Sequence, residues 1–150
     1  MTHDNPIDSE LTHLLTDAST VAMVGASSNP ERESNGIMRK LQKVGYRVIP
    51  VNPRETEVLG ERAYGSLLDI PEHIDIVDVF RRPEDTPSIA ADAVKIGAKA
   101  LWLQEGIAND EAAARATAGG LVVVMDRCIG ATHSLLRIPP KAPKSPSRAG

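Results

Sequence analysis

Val21-Ala22-Met23-Val24-Gly25-Ala26-Ser27-Ser28-Asn29-Pro30 sets an unbroken apolar run against a small polar loop led by glycine. Four consecutive apolar residues do not alternate between core and solvent. They fit a strand buried on both faces, as in parallel sheets. Beyond the loop, Ile37, Met38, Leu41 and Val44 form one stripe of a helix expected over residues 35–44, and Gly45 supplies its stop. Strand, polar loop and helix make one unit of an alternating pattern.

The unit recurs downstream. Tyr46 to Val51 reads as a second buried strand, stopped by Asn52-Pro53, and residues 58–69 as a connector with one helical turn near Ser66. Ile74 to Phe80 reads as a third strand. Thr86 is expected to cap the next helix, with Pro87 at its first position. The apolar face of that helix is Ile89, Ala90, Ala93, Val94 and Ile96. Ala100 to Leu103 is a fourth strand, and Asn109 caps an alanine-rich helix over residues 110–118. Leu121 to Met125 is a fifth strand, and a short helix follows around residues 131–136. Upstream, Ile7, Leu11, Leu14 and Leu15 mark a leading helix with Asp8 or Ser9 as its cap. Strands alternating with helices imply right-handed crossovers. The expected fold is α/β: a doubly wound, mostly parallel five-stranded sheet between two helical layers. One domain should cover residues 1–138, its leading helix within 1–19. The basic Pro/Lys/Ser-rich tail over 139–150 should be disordered.

Composition narrows the function. The chain has 150 residues, 41% apolar and only 3% aromatic, so aliphatic side chains and alanine must fill the core. A net charge of -3 argues against a general nucleic-acid binder. No apolar run approaches the ~20 residues of a membrane span, and the first residues lack the basic start and apolar core of a secretory signal. One cysteine, Cys128, excludes an internal disulfide framework, and the four histidines are scattered without zinc spacing. The expected compartment is the cytoplasm, with neither membrane nor nucleic acid as partner and no metal site.

In doubly wound sheets ligands bind outside the carboxyl ends of the strands, where strand order reverses. Four loops are expected there. In Gly25-Ala26-Ser27, with Arg32 and Ser34 beyond, glycine allows close backbone approach, while amides, hydroxyls and a helix N-terminus suit an anion. The three-glycine dinucleotide fingerprint is missing, since the next glycine is Gly36. Asn52, Pro53 and Arg54 follow the second strand. An NAD site usually places a carboxylate there, so this loop suits an adenine pocket or a plain Asn-Pro turn equally. Phe80, Arg81 and Arg82 follow the third strand, and paired guanidinium groups suit a polyphosphate. Gln104, in Leu103-Gln104-Glu105-Gly106-Ile107, offers an amide to a ligand. Trp102 reads as core. Cys128 with His133 is the one conceivable nucleophile pair, but spacing alone supplies no base or orienting group, and no catalytic constellation is identified.

Together, Val24-Gly25-Ala26-Ser27, Arg32-Glu33-Ser34, Tyr46-Arg47-Val48-Ile49-Pro50-Val51-Asn52-Pro53, Val79-Phe80-Arg81-Arg82, Trp102-Leu103-Gln104-Glu105-Gly106-Ile107 and Met125-Asp126-Arg127-Cys128 resemble the small stand-alone CoA-binding proteins. These are relatives of the CoA-binding domain of the succinyl-CoA synthetase alpha subunit. The resemblance covers residues 20–136 and implies a Rossmann-like domain that binds coenzyme A or an acyl-CoA. It implies that Gly25, Ala26, Ser27, Arg32 and Ser34 hold phosphates and that Asn52, Pro53 and Arg54 border the adenosine. Phe80, Arg81 and Arg82 would flank the diphosphate, and Gln104 the pantetheine arm. The synthetases carry a further ligase domain with a phosphorylated histidine, and this chain ends before one. The expected function is therefore a non-catalytic sensor, carrier or docking module, with a protein partner as an option. An NAD(P)-binding oxidoreductase domain is the alternative.

Overall fold

The apolar run around Met23 is strand β1 (Thr20–Val24) in the computed structural model, which describes residues 3–142. It lies between β2 (Arg47–Val51) and β5 (Ile76–Val79), followed outward by β6 (Ala100–Leu103) and β7 (Val122–Val124). The order is β2-β1-β5-β6-β7 and every pairing is parallel. Successive residues point to opposite faces, so one apolar run feeds two cores. Val21, Met23, Ile76, Trp102 and Val124 pack against α1 (Asp8–Asp17), α2 (Glu33–Lys43) and α5 (Ile129–Leu135) through Leu11, Leu15, Met38, Leu41 and Ile129. Ala22, Val24, Val77, Val79, Leu101 and Leu103 meet the alanines of α3 (Thr86–Lys95) and α4 (Asp110–Ala118). This is the doubly wound, Rossmann-like, three-layer α/β/α architecture. Trp102 is fully buried, its Nε1 donating to the Arg127 carbonyl at 2.8 Å.

Several local features differ from the sequence reading. Neither Asp8 nor Ser9 caps α1; Ile7 does, its amide donating to Glu10 Oε1 at 3.1 Å. Thr86 is the first residue of α3, not its cap, and its hydroxyl donates to the Pro83 carbonyl. The connector holds a two-stranded antiparallel ribbon, β3 (Glu57–Val58) with β4 (Glu61–Arg62), too short for periodicity to mark. Asn109 caps α4 as expected, accepting from the Ala112 amide at 2.8 Å. The exposed edge of β7 is covered by the amino-terminal segment: His3 bonds the Val123 carbonyl, and Asn5 bonds both the amide and the carbonyl of Met125. Such cover protects an edge from pairing with another chain. Within the expected tail, Lys141 donates its amide to Val44; residues 143–150 lie outside the described residues.

The order of strands fixes where ligand loops must open. From β1 the chain crosses through α2 to β2 at one edge, then returns to β5 on the other side of β1. The loops after β1 and β5 diverge, leaving a crevice at their carboxyl ends. Gly25 turns there with φ +92°. Its amide donates to Val51 and the Phe80 amide donates to Val24, at 2.9 and 2.8 Å. A Cβ on Gly25 would lie 2.4 Å from the Phe80 carbonyl oxygen. Glycine is thus required first by the backbone of β5 rather than by a ligand.

Asp78 is the unexpected residue of the sheet. It is 0% exposed in the middle of β5, and neither carboxyl oxygen has a hydrogen-bond partner. Burial pushes its pKa well above 3.8, and the nearby Glu33 carboxylate raises it further.

Two stability predictions follow from these packing facts. Gly25→Ala should cost about 1–3 kcal/mol from backbone conformation alone, and more from the overlap with Phe80, read as a lower urea midpoint. An unchanged midpoint would show that the turn relaxes freely. For Asp78, the folded state holds a proton that the unfolded chain releases above pH 3.8, so this residue lowers stability as pH rises. Asp78→Asn removes that proton uptake. At pH 7 it should raise the melting temperature by about 2–4 °C, the shift 1 kcal/mol produces in a chain of this size. The gain should shrink toward pH 4, and a gain independent of pH would contradict the buried neutral acid.

Candidate functional site

A cavity of about 420 Å³ opens at the β1/β5 switch point, lined by Gly25, Ser27, Arg32, Glu33, Ser34, Asn52, Arg54, Glu55, Phe80 and Arg81. Eight of the twelve residues singled out from the sequence therefore meet in one crevice. The other four lie around it. Ala26 is fully buried in the core beneath the loop. Pro53 is exposed beside Asn52. Arg82 points outward, its side chain 72% exposed against Glu84 and Asp85. Gln104 is buried at 2% exposure, its Oε1 accepting from the Ile129 amide at the start of α5.

The loop after β1 is built from its own hydrogen bonds. Ser27 Oγ accepts from the Asn29 amide, Asn29 Oδ1 from the Glu31 amide, and Asn35 Nδ2 donates to the Ser27 carbonyl. These bonds fix the turn into α2, whose N-terminus carries partial positive charge. Asn52 joins this loop to the next. Its Nδ2 donates to the Ala26 carbonyl and its Oδ1 accepts from the Arg54 amide, at 2.8 and 2.9 Å. Both ends of that carboxamide are engaged by protein, so its role is to align two loops.

The charges alternate. Arg32, Arg54 and Arg81 face the crevice together with Glu33 and Glu55. Arg81 pairs with Asp85 at 3.2 Å, and its guanidinium, with that of Arg82, holds the Asp85 carboxyl below the usual range. Sequence reasoning missed two lining residues, Glu33 and Glu55, and the second is the one bonded across the site. Its Oε2 accepts from the Ser28 amide at 2.8 Å and from the Ser28 hydroxyl at 3.0 Å. A carboxylate thus already accepts from both donors of Ser28. Nothing in the local sequence joins Glu55 to Ser28, twenty-seven residues away.

Other candidates separate. Cys128 caps α5, its sulfur accepting from the Ala131 amide at 3.4 Å. His133 instead meets the Tyr46 ring in a T-shaped contact, and burial together with the Lys40 and Lys141 cations holds its pKa below 6.5. No hydrogen bond joins the two. A larger cavity of about 800 Å³ lies under the amino-terminal segment, bordered by Pro6, Leu14, Ala18, Leu121 and Val123. Among the described residues neither an arginine nor a glycine-led loop borders it. Among the described residues no His/Cys/Asp/Glu group could hold a metal, and no helix is long and apolar enough to cross a membrane.

Known proteins match this architecture along most of its length. Residues 19–134 match the CoA binding domain family. The uncharacterized protein YneT of Bacillus subtilis is 38% identical over 133 residues, 89% of this chain and 98% of its own length. A solved structure of a hypothetical protein from Pyrococcus horikoshii superposes with a TM-score of 0.85 at 41% identity, over 91% of this chain and 99% of that one. An ADP-forming acetate–CoA ligase of Methanocaldococcus jannaschii is 29% identical over 80 residues, which are 53% of this chain but 11% of the enzyme. The match spanning β1 to α5 places the chain in the CoA-binding domain family, homologous to a small part of the far longer ADP-forming ligases.

Proposed function

We propose that this protein binds coenzyme A or an acyl-CoA in the β1/β5 crevice, as a sensor, carrier or docking module without catalysis of its own. The observation that carries the reading is the convergence of a glycine-led anion loop, a helix N-terminus and three arginines at one switch point, in a chain of this family. Phosphate oxygens of the ligand would take the Ser27–Ser28 donors and the helix end, with Arg32 and Arg81 as counter-charges. Arg54, on the loop after β2, stands where the adenosine and its 3′-phosphate would lie. Gln104 would meet the pantetheine arm. The residue directly after β2 is Asn52, and the first carboxylate of that loop, Glu55, is turned onto Ser28, which favours this ligand over a dinucleotide with a free ribose diol. Docking on a larger partner that uses the bound CoA is the second form of the reading, favoured by the homology to one part of the ligases.

Calorimetry should give a dissociation constant on the order of micromolar for CoA, ~8 kcal/mol at the 1 M standard state, and weaker binding of NAD. Absence of heat at millimolar CoA would reject the proposal. Arg81→Ala should weaken CoA binding roughly tenfold, about 1.4 kcal/mol. The outward-turned Arg82→Ala should change it less than threefold. The Arg81 effect should diminish in high salt, because partly exposed charges are screened. Equal affinity for NAD and CoA, with both variants unaffected, would favour a nicotinamide cofactor instead.

Glu55 gives an independent check. Its carboxylate occupies loop donors that a phosphate needs, so it competes with the ligand. Glu55→Gln should tighten CoA binding several-fold, most strongly at low salt. Weaker binding would mean that Glu55 preorganises the loop more than it repels.

A further inference from the structure

The α2/α5 face of the sheet carries two fully enclosed polar groups that the fold leaves incomplete. Asp78 has both carboxyl oxygens without a protein partner, and Gln104 has its Nε2 without one. Their placement is related by register. Asp78 stands opposite Trp102 in the β5/β6 pair, and the Gln104 amide continues that ladder by donating to the Val79 carbonyl. Two residues further along each strand, Phe80 and Gln104 are therefore neighbours on the same face, about 4.8 Å apart in the sheet direction. Asp78 sits one pleat repeat, roughly 6.7 Å, behind Phe80.

Phe80 is half-buried, lines the crevice and packs against the core that contains Trp102 and Ile129. Glu33, on the crevice wall, is the charged group whose field reaches Asp78. The enclosed acid is thus two residues along its strand from Phe80, which lines the crevice. Unpartnered buried polar groups each cost about 1–3 kcal/mol, and they are uncommon enough in native interiors that a pair on neighbouring strands calls for a partner.

We propose that Asp78 is a ligand-binding residue which, with Gln104, receives an amide-bearing chain entering beneath Phe80 from the crevice. Gln104 Nε2 donates to an amide carbonyl. The Asp78 carboxyl, neutral and so both donor and acceptor, takes the complementary group of the same chain. The proposal rests on the CoA reading, for the pantetheine arm is a chain with two amides, whereas the adenosine bisphosphate half has none and stays in the outer crevice. Phe80 turns aside to admit the arm and covers it afterwards.

The test compares CoA with adenosine 3′,5′-bisphosphate, which keeps the adenosine, the 3′-phosphate and the inner phosphate of the diphosphate and lacks the outer phosphate and the arm. Asp78→Leu preserves shape and removes an unpartnered polar group, so the variant should fold, as a thermal melt will show. It should lose tenfold or more in CoA affinity and bind the bisphosphate as the parent does. Asp78→Asn, which keeps a donor and an acceptor, should bind CoA within threefold of the parent. Unchanged CoA affinity in Asp78→Leu, or equal losses for both ligands, would overturn the assignment while leaving the outer crevice as a CoA site. A parent that binds neither ligand would overturn both.

Discussion

The structure depends on one close passage of backbone, where β1 leaves the sheet beside the end of β5. Gly25 bonds back to β2 through Val51 while Phe80 bonds to β1 through Val24. A single carbon atom at Gly25 would occupy the Phe80 carbonyl. That contact holds three strand ends in register at the point where their loops must part. It makes the crevice rigid at its floor and leaves its walls, the Ser27–Glu33 and Arg81–Pro83 segments, free to carry charge. The requirement for glycine there is satisfied before any ligand is considered, so the phosphate-loop appearance of the sequence has a structural cause of its own.

Electrostatics in the crevice are balanced rather than uniformly basic. Arg32, Arg54 and Arg81 face Glu33 and Glu55, and Arg81 and Arg82 share Asp85. On the proposed reading, a phosphate at Arg81 or Ser28 would displace a carboxylate already there, Asp85 or Glu55, which would moderate affinity and make it sensitive to salt. The Glu55–Ser28 contact shows the principle most directly, since an acidic side chain uses the donors a phosphate would use.

Most of the architecture was legible because buried parallel strands are continuous apolar runs and the helices carry clear stripes. Val21–Val24 and Ala100–Leu103 needed no tertiary information. What escaped reading was small or nonlocal. The β3/β4 ribbon pairs two residues with two, below any periodic signal. The Ile7 cap works through its backbone, which side-chain preference does not reveal. In the site, the eight foreseen residues among the ten that line the crevice lie on strand-end loops and in the first turn of α2, where the strand-end rule pointed. It also put forward Arg82 and Gln104, which the fold turns outward and inward, because a loop position does not specify a side-chain direction. Glu55 depends on a contact across two loops, and no pattern within either loop encodes it.

Asp78 is a different kind of omission. In Ile76-Val77-Asp78-Val79 a charged residue interrupts an apolar strand, and sequence reasoning absorbs it as part of the run. The structure shows that the interruption is not resolved by exposure or by pairing. An aliphatic residue in its place would pack the same face, β5 would be better formed, and stability would not fall with pH on its account. Local rules broken without local compensation mark sites where something other than folding sets the residue. Among the described residues, the other such groups are the Nε2 atoms of Gln104 and His133. Of these, His133 lies against Tyr46 on α5, while Gln104 continues the β6 strand beside Phe80. The polar irregularities of the sheet itself thus gather next to the same switch point that Gly25 organises, where a folded scaffold and a ligand's chain have reason to meet.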